Sequence, residues 1–394
     1  MPSPLLEIVK EELQATQFID IHTHLFKPSL GKLGLWGIDE LITYHYLEAE
    51  LFRSNPITPA AYWSLNKQQQ ADLIWKTLFV DNPPVSEATR GVVAVLSAFG
   101  LPTSGPSLTE ARRFFAAQSI ETHIDNVFKL AGISEAVMTN DPLDPVEAPL
   151  WEGSAPHPQF HAVMRLDRLL NRPHDMSTAQ ARRFLDDWAK KMKPVYMACS
   201  LPDTFHYPEE SIRATLLREA VLPACHELQI PLSLMVGVRL QVNPDLKLAG
   251  DASGRADLRS IEHLCRDFPD NRFLISILSR ENQHELCVYA RKFANLMPFG
   301  CWWFLNNPSI VEEITRERLE MLGTSFIPQH SDARVLEQVI YKWRNTRRTL
   351  APILANAYAM LAEDGRAVSR QDVRQDIQRL FRTNFQSFSN VKPS

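Results

Sequence analysis

Phe18-Ile19-Asp20-Ile21-His22-Thr23-His24-Leu25-Phe26 is the stretch whose reading decides how the chain folds. Phe18, Ile19 and Ile21 are apolar and β-prone, which predicts a buried strand. His22 and His24 are two residues apart, so on a strand their side chains leave the same face. Two imidazoles on one face, at the C-terminal end of a strand, can grip one divalent metal. The spacing also suits two ordinary polar residues at a strand end. Its place after the first apolar strand, and before a loop carrying Gly31, Gly34 and Gly37, favours ligation.

Outward from this stretch, strand-like runs recur. They are Ala136–Thr139, Phe160–Met164, Pro194–Ala198, Leu232–Val236, Arg272–Ile277, Asn295–Gly300 and Phe326–Pro328. Helical spacing falls between them, over Thr178–Met192, Ser211–Leu228, Leu258–Phe268 and Val311–Leu322. Strands alternating with helices imply a parallel sheet, and eight such units predict a closed (β/α)8 barrel of the TIM type. In such a barrel, polar residues at strand C-termini are candidates for the active site. Leu5–Leu13 is expected as a helix beneath the barrel. Ile38–Leu47 is expected as a helix capped by Asp39 and continued through Glu48–Phe52. Residues 58–130 carry apolar helical stripes (Leu73, Trp75, Leu78; Val92, Val93, Val95, Leu96) and turns at Asn82-Pro83-Pro84 and Gly100-Leu101-Pro102. They read as a helical insert after the first strand. The expected organisation is residues 1–57 as the barrel start, 58–130 as the insert, and 131–394 as the rest of the barrel with C-terminal helices. From about Gln371 a helix leads into a polar, loose end.

The chain has 394 residues, 45% hydrophobic and 22% charged, which is the composition of a soluble globular protein. A net charge of −4 without a basic tract argues against nucleic acid as a partner. Five dispersed cysteines (Cys199, Cys225, Cys265, Cys287, Cys301) with no CxxC pair point to reduced, mostly buried thiols in a cytoplasmic enzyme. Met1–Thr16 has charged residues and no long apolar run, so neither a signal peptide nor a membrane anchor is expected.

Phe326-Ile327-Pro328-Gln329-His330-Ser331-Asp332-Ala333-Arg334 would close the barrel. A carboxylate there faces His22 and His24 across the mouth, and Asp332 would add a hard oxygen ligand. Two histidines, one carboxylate and an open position make a catalytic metal site. The alternative for Asp332 is a helix N-cap, since Ala333–Lys342 has helical spacing.

His22-Thr23-His24, Tyr44-His45-Tyr46, Thr139-Asn140-Asp141-Pro142, Arg165-Leu166-Asp167, Trp302-Trp303-Phe304 and Asp332-Ala333-Arg334 resemble, in the same order, motifs of the uronate (glucuronate/galacturonate) isomerases. These are divergent members of the amidohydrolase superfamily, and the resemblance spans nearly the whole chain. It implies isomerisation of a hexuronate, D-glucuronate to D-fructuronate or D-galacturonate to D-tagaturonate. It implies His22, His24 and Asp332 as metal ligands, and His45 and Tyr46 as a pair lining the sugar. Arg165 and Arg334 match site arginines, Asp203 a site aspartate, and Trp302 or Trp303 the tryptophan of the seventh strand. Moving a carbonyl from C1 to C2 through a cis-enediol needs a base, an acid and a Lewis acid on the two oxygens. Asp332 with its metal water is assigned the first role and Tyr46 the second. Arginine suits a substrate carboxylate because its fork is planar and bidentate. Arg165 could instead pair with Asp167, and Tyr44 is expected to pack inside. Zinc suits a set of two histidines and one carboxylate, with manganese or iron acceptable. A small sugar acid is the expected partner, with no nucleic acid or membrane, and barrels of this kind often form homo-oligomers.

The match departs in places. The fifth strand reads Leu234-Met235-Val236-Gly237 where the family has a substrate-contacting histidine, and a thioether cannot donate a hydrogen bond. Ala333 replaces a serine and Asn140 an aspartate. His206 and His330 are extra histidines near strand ends. The competing function is a metal-dependent hydrolase acting on a lactone, ester or amide; a third is a sugar-acid binder without catalysis.

Overall fold

The computed structural model describes residues 4–172 and 176–389. The fold is α/β, with a TIM-like parallel sheet curved into a half-barrel. The strands are β1 (Phe18–Thr23), β2 (Ile133–Asn140), β3 (Phe160–Arg165), β4 (Met197–Pro202), β5 (Leu232–Arg239), β6 (Ala252–Ser253), β7 (Phe273–Ile277) and β8 (Leu296–Pro298). They pair in parallel in the order β1-β2-β3-β4-β5-β7-β8, and short β6 runs antiparallel to β5. Both faces of this sheet are covered, so the strands read as nearly unbroken apolar runs. One apolar layer fills the concave face, with Ile19, Ile21, Val137, Val163, Tyr196, Leu274 and Phe299. Phe385 closes it from below, its ring 6.2 Å from that of Tyr196.

The helices are α1 (Pro4–Ala15), α2 (Ile38–Ile42), α3 (His45–Ser54), α4 (Pro59–Trp63), α5 (Lys67–Trp75), α6 (Glu87–Ala98), α7 (Thr109–Ala116) and α8 (Ile120–Ala131), of which all but α1 lie between β1 and β2. Further along come α9 (Asp167–Asn171), α10 (Thr178–Met192), α11 (Ile212–Leu216), α12 (Leu222–Glu227), α13 (Arg259–Asp267), α14 (Gln283–Ala290) and α15 (Pro308–Leu322). The chain ends in α16 (Gln338–Glu363), α17 (Arg370–Gln378) and α18 (Asn384–Ser389). The cap on α10 is Ser177, with Gln180 reaching back to it, which satisfies two otherwise unpaired N–H groups. On α1, Glu12 takes Arg370 at 2.9 Å and Arg374 at 2.8 Å, fastening the first helix to α17. Among the described residues, no helix is long and apolar enough to cross a membrane. The polar end expected after the last helix falls partly on residues 390–394, outside the described residues.

Four local expectations are corrected. The helix expected over Ile38–Phe52 is two helices: Tyr44 is extended (φ −68°, ψ 139°), so the chain turns and α3 begins at His45. Asp39 does not cap α2, whose N-cap is Gly37; its carboxylate takes Nε of Arg112 at 2.9 Å. The helix expected from Ala333 begins only at Gln338, so Asp332 is no N-cap. Phe326–Pro328 forms no regular ladder; Ile327 makes a single parallel bridge to Phe299.

The segment after that bridge turns to β1. Asp332 N–H donates to His22 O at 3.1 Å, and His24 N–H to Ala333 O at 2.8 Å. Beneath them, Asp20 accepts from Ser331 N–H at 3.0 Å and from Trp343 Nε1–H at 2.8 Å. Truncating that carboxylate would strand two buried donors. Asp20→Ala, studied metal-free by urea unfolding, is expected to lose about 2–4 kcal/mol. A loss below about 1 kcal/mol would show that the junction holds without it.

Candidate active site

His22 and His24 stand where β1 meets the closing segment. β1 does not keep a simple alternation: Asp20 is opposite Ala136 and Thr23 opposite Met138, so β1 holds one residue more than β2 over this step. Such a bulge reverses the phase of the side chains. Asp20 points out to Trp343 of α16, while His22 and His24 both reach the concave mouth.

Asp332 meets them there. Its Oδ1 lies 3.7 Å from Nε2 of His22 and 3.3 Å from Nε2 of His24. One ligand atom from each of the three residues falls within 4.8 Å of the others. Tetrahedral bonds of about 2.0–2.1 Å place neighbouring ligand atoms roughly 3.3–3.4 Å apart, so the set has the spacing of a small divalent ion. The donor chemistry fits as well. Oδ1 of Asp332 is buried with no hydrogen-bond partner, which is costly unless a cation completes it. Burial, outweighing the charge of Asp332, pushes His22 down to about 3, and burial also holds His24 well below the usual histidine range. Both rings are therefore neutral and carry a free lone pair. Asp332 sits in the left-handed region (φ 52°), which an aspartate tolerates better than most residues.

Behind the rings stand two hydroxyls. Tyr196 Oη is 3.2 Å from Nδ1 of His22 and donates to Ile21 O at 2.7 Å. Thr139 Oγ1 is 3.3 Å from Nδ1 of His24 and donates to Thr23 O.

The mouth opens into a cleft of about 610 Å³. Of the residues expected at the site, His22, His24, His45, Arg165, Trp302, Trp303, Asp332 and Arg334 line it. Tyr46 and Asp203 do not. Tyr46 is one ring behind His45, with centroids 4.7 Å apart, because consecutive residues at a helix start diverge by about 100°. Burial, then the charges of Tyr44 and Asp332, hold its phenol well above the usual range. Tyr44 is buried, as expected. Asp203 is outside the wall, facing Arg239 Nε at 3.8 Å. A second depression, of about 650 Å³ beside Ser177 and Ser211, shares no lining residue with the cleft and, among the described residues, is lined by no histidine.

The two arginines differ. Arg165 is held by Asp167, with Nε to Oδ2 at 2.7 Å and a second bond at 3.1 Å. Arg334 has no ion-pair partner among the described residues; after burial, its charge does most to keep His45 neutral. His45 Nε2 is buried and unpartnered. Trp303 has φ 47°, rare for a bulky residue, and packs against His45 at 6.0 Å. Met235 lines the floor. His206 is half-exposed, 3.6 Å from Asp257. His330 is buried against His22, with ring centroids 5.0 Å apart, and does not line the cleft.

Sequence reasoning gave no role to Asp20 or Tyr196, and named Thr139 and Asp141 only within a motif, without the Asp141–Arg168 pair, 3.0 Å apart on the cleft wall. A hydroxyl or acid inside an apolar strand was the available signal, because a buried polar group must find a partner.

No protein-family model and no curated protein matches the chain. Solved structures do. A uronate isomerase from Bacillus halodurans superposes with a TM-score of 0.97 at 46% identity, covering 100% of this chain and 98% of that one. A uronate isomerase from Thermotoga maritima gives 0.76 at 14% identity, covering 98% of each chain. A glucuronate isomerase from Caulobacter crescentus gives 0.74 at 14% identity, covering 100% of this chain and 96% of that one. At 14% identity the last two show a common fold alone.

The helix that presents His45 carries its own titration. Glu48 of α3 is buried and accepts from Tyr62 Oη–H at 3.0 Å; burial raises its carboxyl to about 7 against that bond. The unfolded chain ionises Glu48 near pH 4.5 and the folded chain only near 7, so this group erodes stability as pH rises between them. Glu48→Gln keeps the acceptor for Tyr62 and removes the ionisation. Its stability relative to wild type is expected to rise by roughly 1–3 kcal/mol between about pH 5 and pH 8. Parallel pH curves for the two proteins in urea would contradict this.

Proposed function

This chain belongs to the uronate isomerase family, and from that premise we propose that it is a metal-dependent isomerase converting a hexuronate aldose to its ketose. The substrate would be D-glucuronate, giving D-fructuronate, or D-galacturonate, giving D-tagaturonate, through a cis-enediol. The observation that carries the reading is the meeting of two neutral imidazoles and an unpartnered carboxylate oxygen at the floor of one cleft.

His22, His24 and Asp332 would hold the ion, and zinc suits this donor set best. A divalent ion there supplies a Lewis acid toward the sugar acid's oxygens. The rest falls to the chain's own groups. Asp332 takes the proton from C2. His45 on the wall, with Tyr46 behind it, forms the acid side that gives a proton to O1; a proton returned to C1, as O2 gives up its own, completes the ketose. Arg334, which pairs with no carboxylate among the described residues, is the better anchor for the substrate's carboxylate; Arg165 is already shared with Asp167. Trp302 and Trp303 offer apolar faces to the sugar. Asp203, outside the wall, is given no direct contact.

On the same reading, the segment from Phe326 to Ala333 is the eighth stave of a closed (β/α)8 barrel. Its bonds to His22 and His24, and the Ile327–Phe299 bridge, support this. Residues 58–130 are then a helical insert between β1 and β2, and the buried thiols suit a cytoplasmic setting.

Zinc-loaded protein incubated with D-glucuronate or D-galacturonate is expected to form ketose. Asp332→Ala is expected to lose bound metal by elemental analysis and to turn over slower by on the order of 10²–10⁴-fold. Inertness toward both sugars, or full metal and full turnover in the variant, would overturn the assignment.

A further inference from the structure

The two hydroxyls behind the histidines have the same arrangement, although they come from different strands. Each has one hydrogen to give. Tyr196 is placed to give its hydrogen to Ile21 O, 2.7 Å away, and Thr139 its hydrogen to Thr23 O. In both cases the carbonyl belongs to the residue just before the histidine. A carbonyl cannot return a hydrogen, so each hydroxyl keeps only lone pairs for the ring beside it. Nδ1 of His22 faces the Tyr196 oxygen at 3.2 Å, and Nδ1 of His24 faces the Thr139 oxygen at 3.3 Å. A lone pair facing a lone pair is repulsive; a ring N–H facing it is a hydrogen bond.

We propose that Tyr196 and Thr139 are positioning residues that lock His22 and His24 in the Nδ1–H tautomer, leaving both Nε2 lone pairs free to bind a cation shared with Asp332. The reverse arrangement would turn Tyr196 toward His22 and forsake the shorter bond to Ile21 O, inside an interior that excludes water. Tyr196 is fully buried among Ile19, Ile21 and Phe385. The strand bulge thus aims the rings, and the two hydroxyls decide which nitrogen is bare.

The use of the lock rests on the metal-site reading above, but the lock itself rests on hydrogen bonds alone. The test is therefore made first on the metal-free, full-length protein labelled with ¹⁵N-histidine. Long-range ¹⁵N–¹H correlations report the tautomer of each ring, assigned by comparison with His22→Asn and His24→Asn. Wild type is expected to show Nδ1–H at both. Tyr196→Phe should move His22 away from that form and leave His24 alone. Thr139→Val should do the opposite, and Thr139→Ser should restore it. Zinc affinity, read by chelator competition, should fall about 10–100-fold in Tyr196→Phe and in Thr139→Val and recover in Thr139→Ser. An Nε2–H signal in wild type, or rings indifferent to loss of their own hydroxyl, would overturn the proposal. Should Tyr196→Phe fail to fold, the Thr139 pair decides it. Rings that respond as expected in a protein that takes no zinc would sink the metal reading and leave the lock standing.

Discussion

Asp20 joins the first strand to the far end of the sheet, and the site depends on that junction. Its carboxylate is fully buried and pairs with no cation among the described residues. Burial lifts it to about 6 against the bonds from Ser331 and Trp343. A carboxylate in that setting is a cost to folding unless its oxygens are satisfied, and one main-chain N–H and one indole N–H satisfy them. The gain is positional. Ser331 is pinned at one oxygen, so the next residue, Asp332, comes into register with His22 and its side chain faces the two rings.

Regular strand geometry could not deliver this arrangement. In strict alternation Asp20, His22 and His24 would share a face. One carboxylate would then enter the cleft and the closing segment would lose its clasp. The extra residue in β1 separates them, sending the acid outward and the imidazoles inward. The left-handed backbone at Asp332 is the matching distortion on the other side. Both irregularities sit at the point where chemistry is read; the sheet's other register shifts fall at Phe18/Ile19 and Leu201/Pro202. Strain of this kind persists where neighbouring contacts over-determine it, and here they do.

Much of this was legible beforehand, and the pattern of what was not is physical. The alternation of apolar runs with helical stripes revealed the parallel sheet, because burial on both faces leaves a strong signal. His22 and His24 stood out because they end the first apolar strand and open the series of motifs that carries the family resemblance. Asp332 was legible as their partner, though only the late start of α16 at Gln338 removes its reading as a cap. Tyr46 looked equal to His45 because neighbours in sequence look alike until a helix start separates their directions. Asp203 looked like a wall residue because its strand ends at the cleft; Pro202 lines it and Asp203 turns to Arg239. Tyr196 was hidden inside an apolar run, where one hydroxyl hardly changes the periodicity, and Thr139 stood in a motif that gave it no role. No pattern of residue types announces a bulge.

What the pocket borrows from the main chain explains how one frame can carry very different sequences. His22 O, Ala333 O, Ile21 O, Thr23 O and Ser331 N–H all act in placing or orienting the three converging groups. Main-chain atoms are the same whatever side chain they bear. A substitution that preserves backbone course therefore preserves those contacts, and apolar layers accept many such exchanges at constant volume. The Thermotoga and Caulobacter structures agree with this: the frame is shared over nearly the whole chain at 14% identity. The side chains that cannot drift are those whose own atoms close a bond. By that criterion Met235 is free to differ: it lines the floor but makes none of the bonds that hold His22, His24 and Asp332 together. Its change alters the lining of the cleft and leaves the three converging groups as they are.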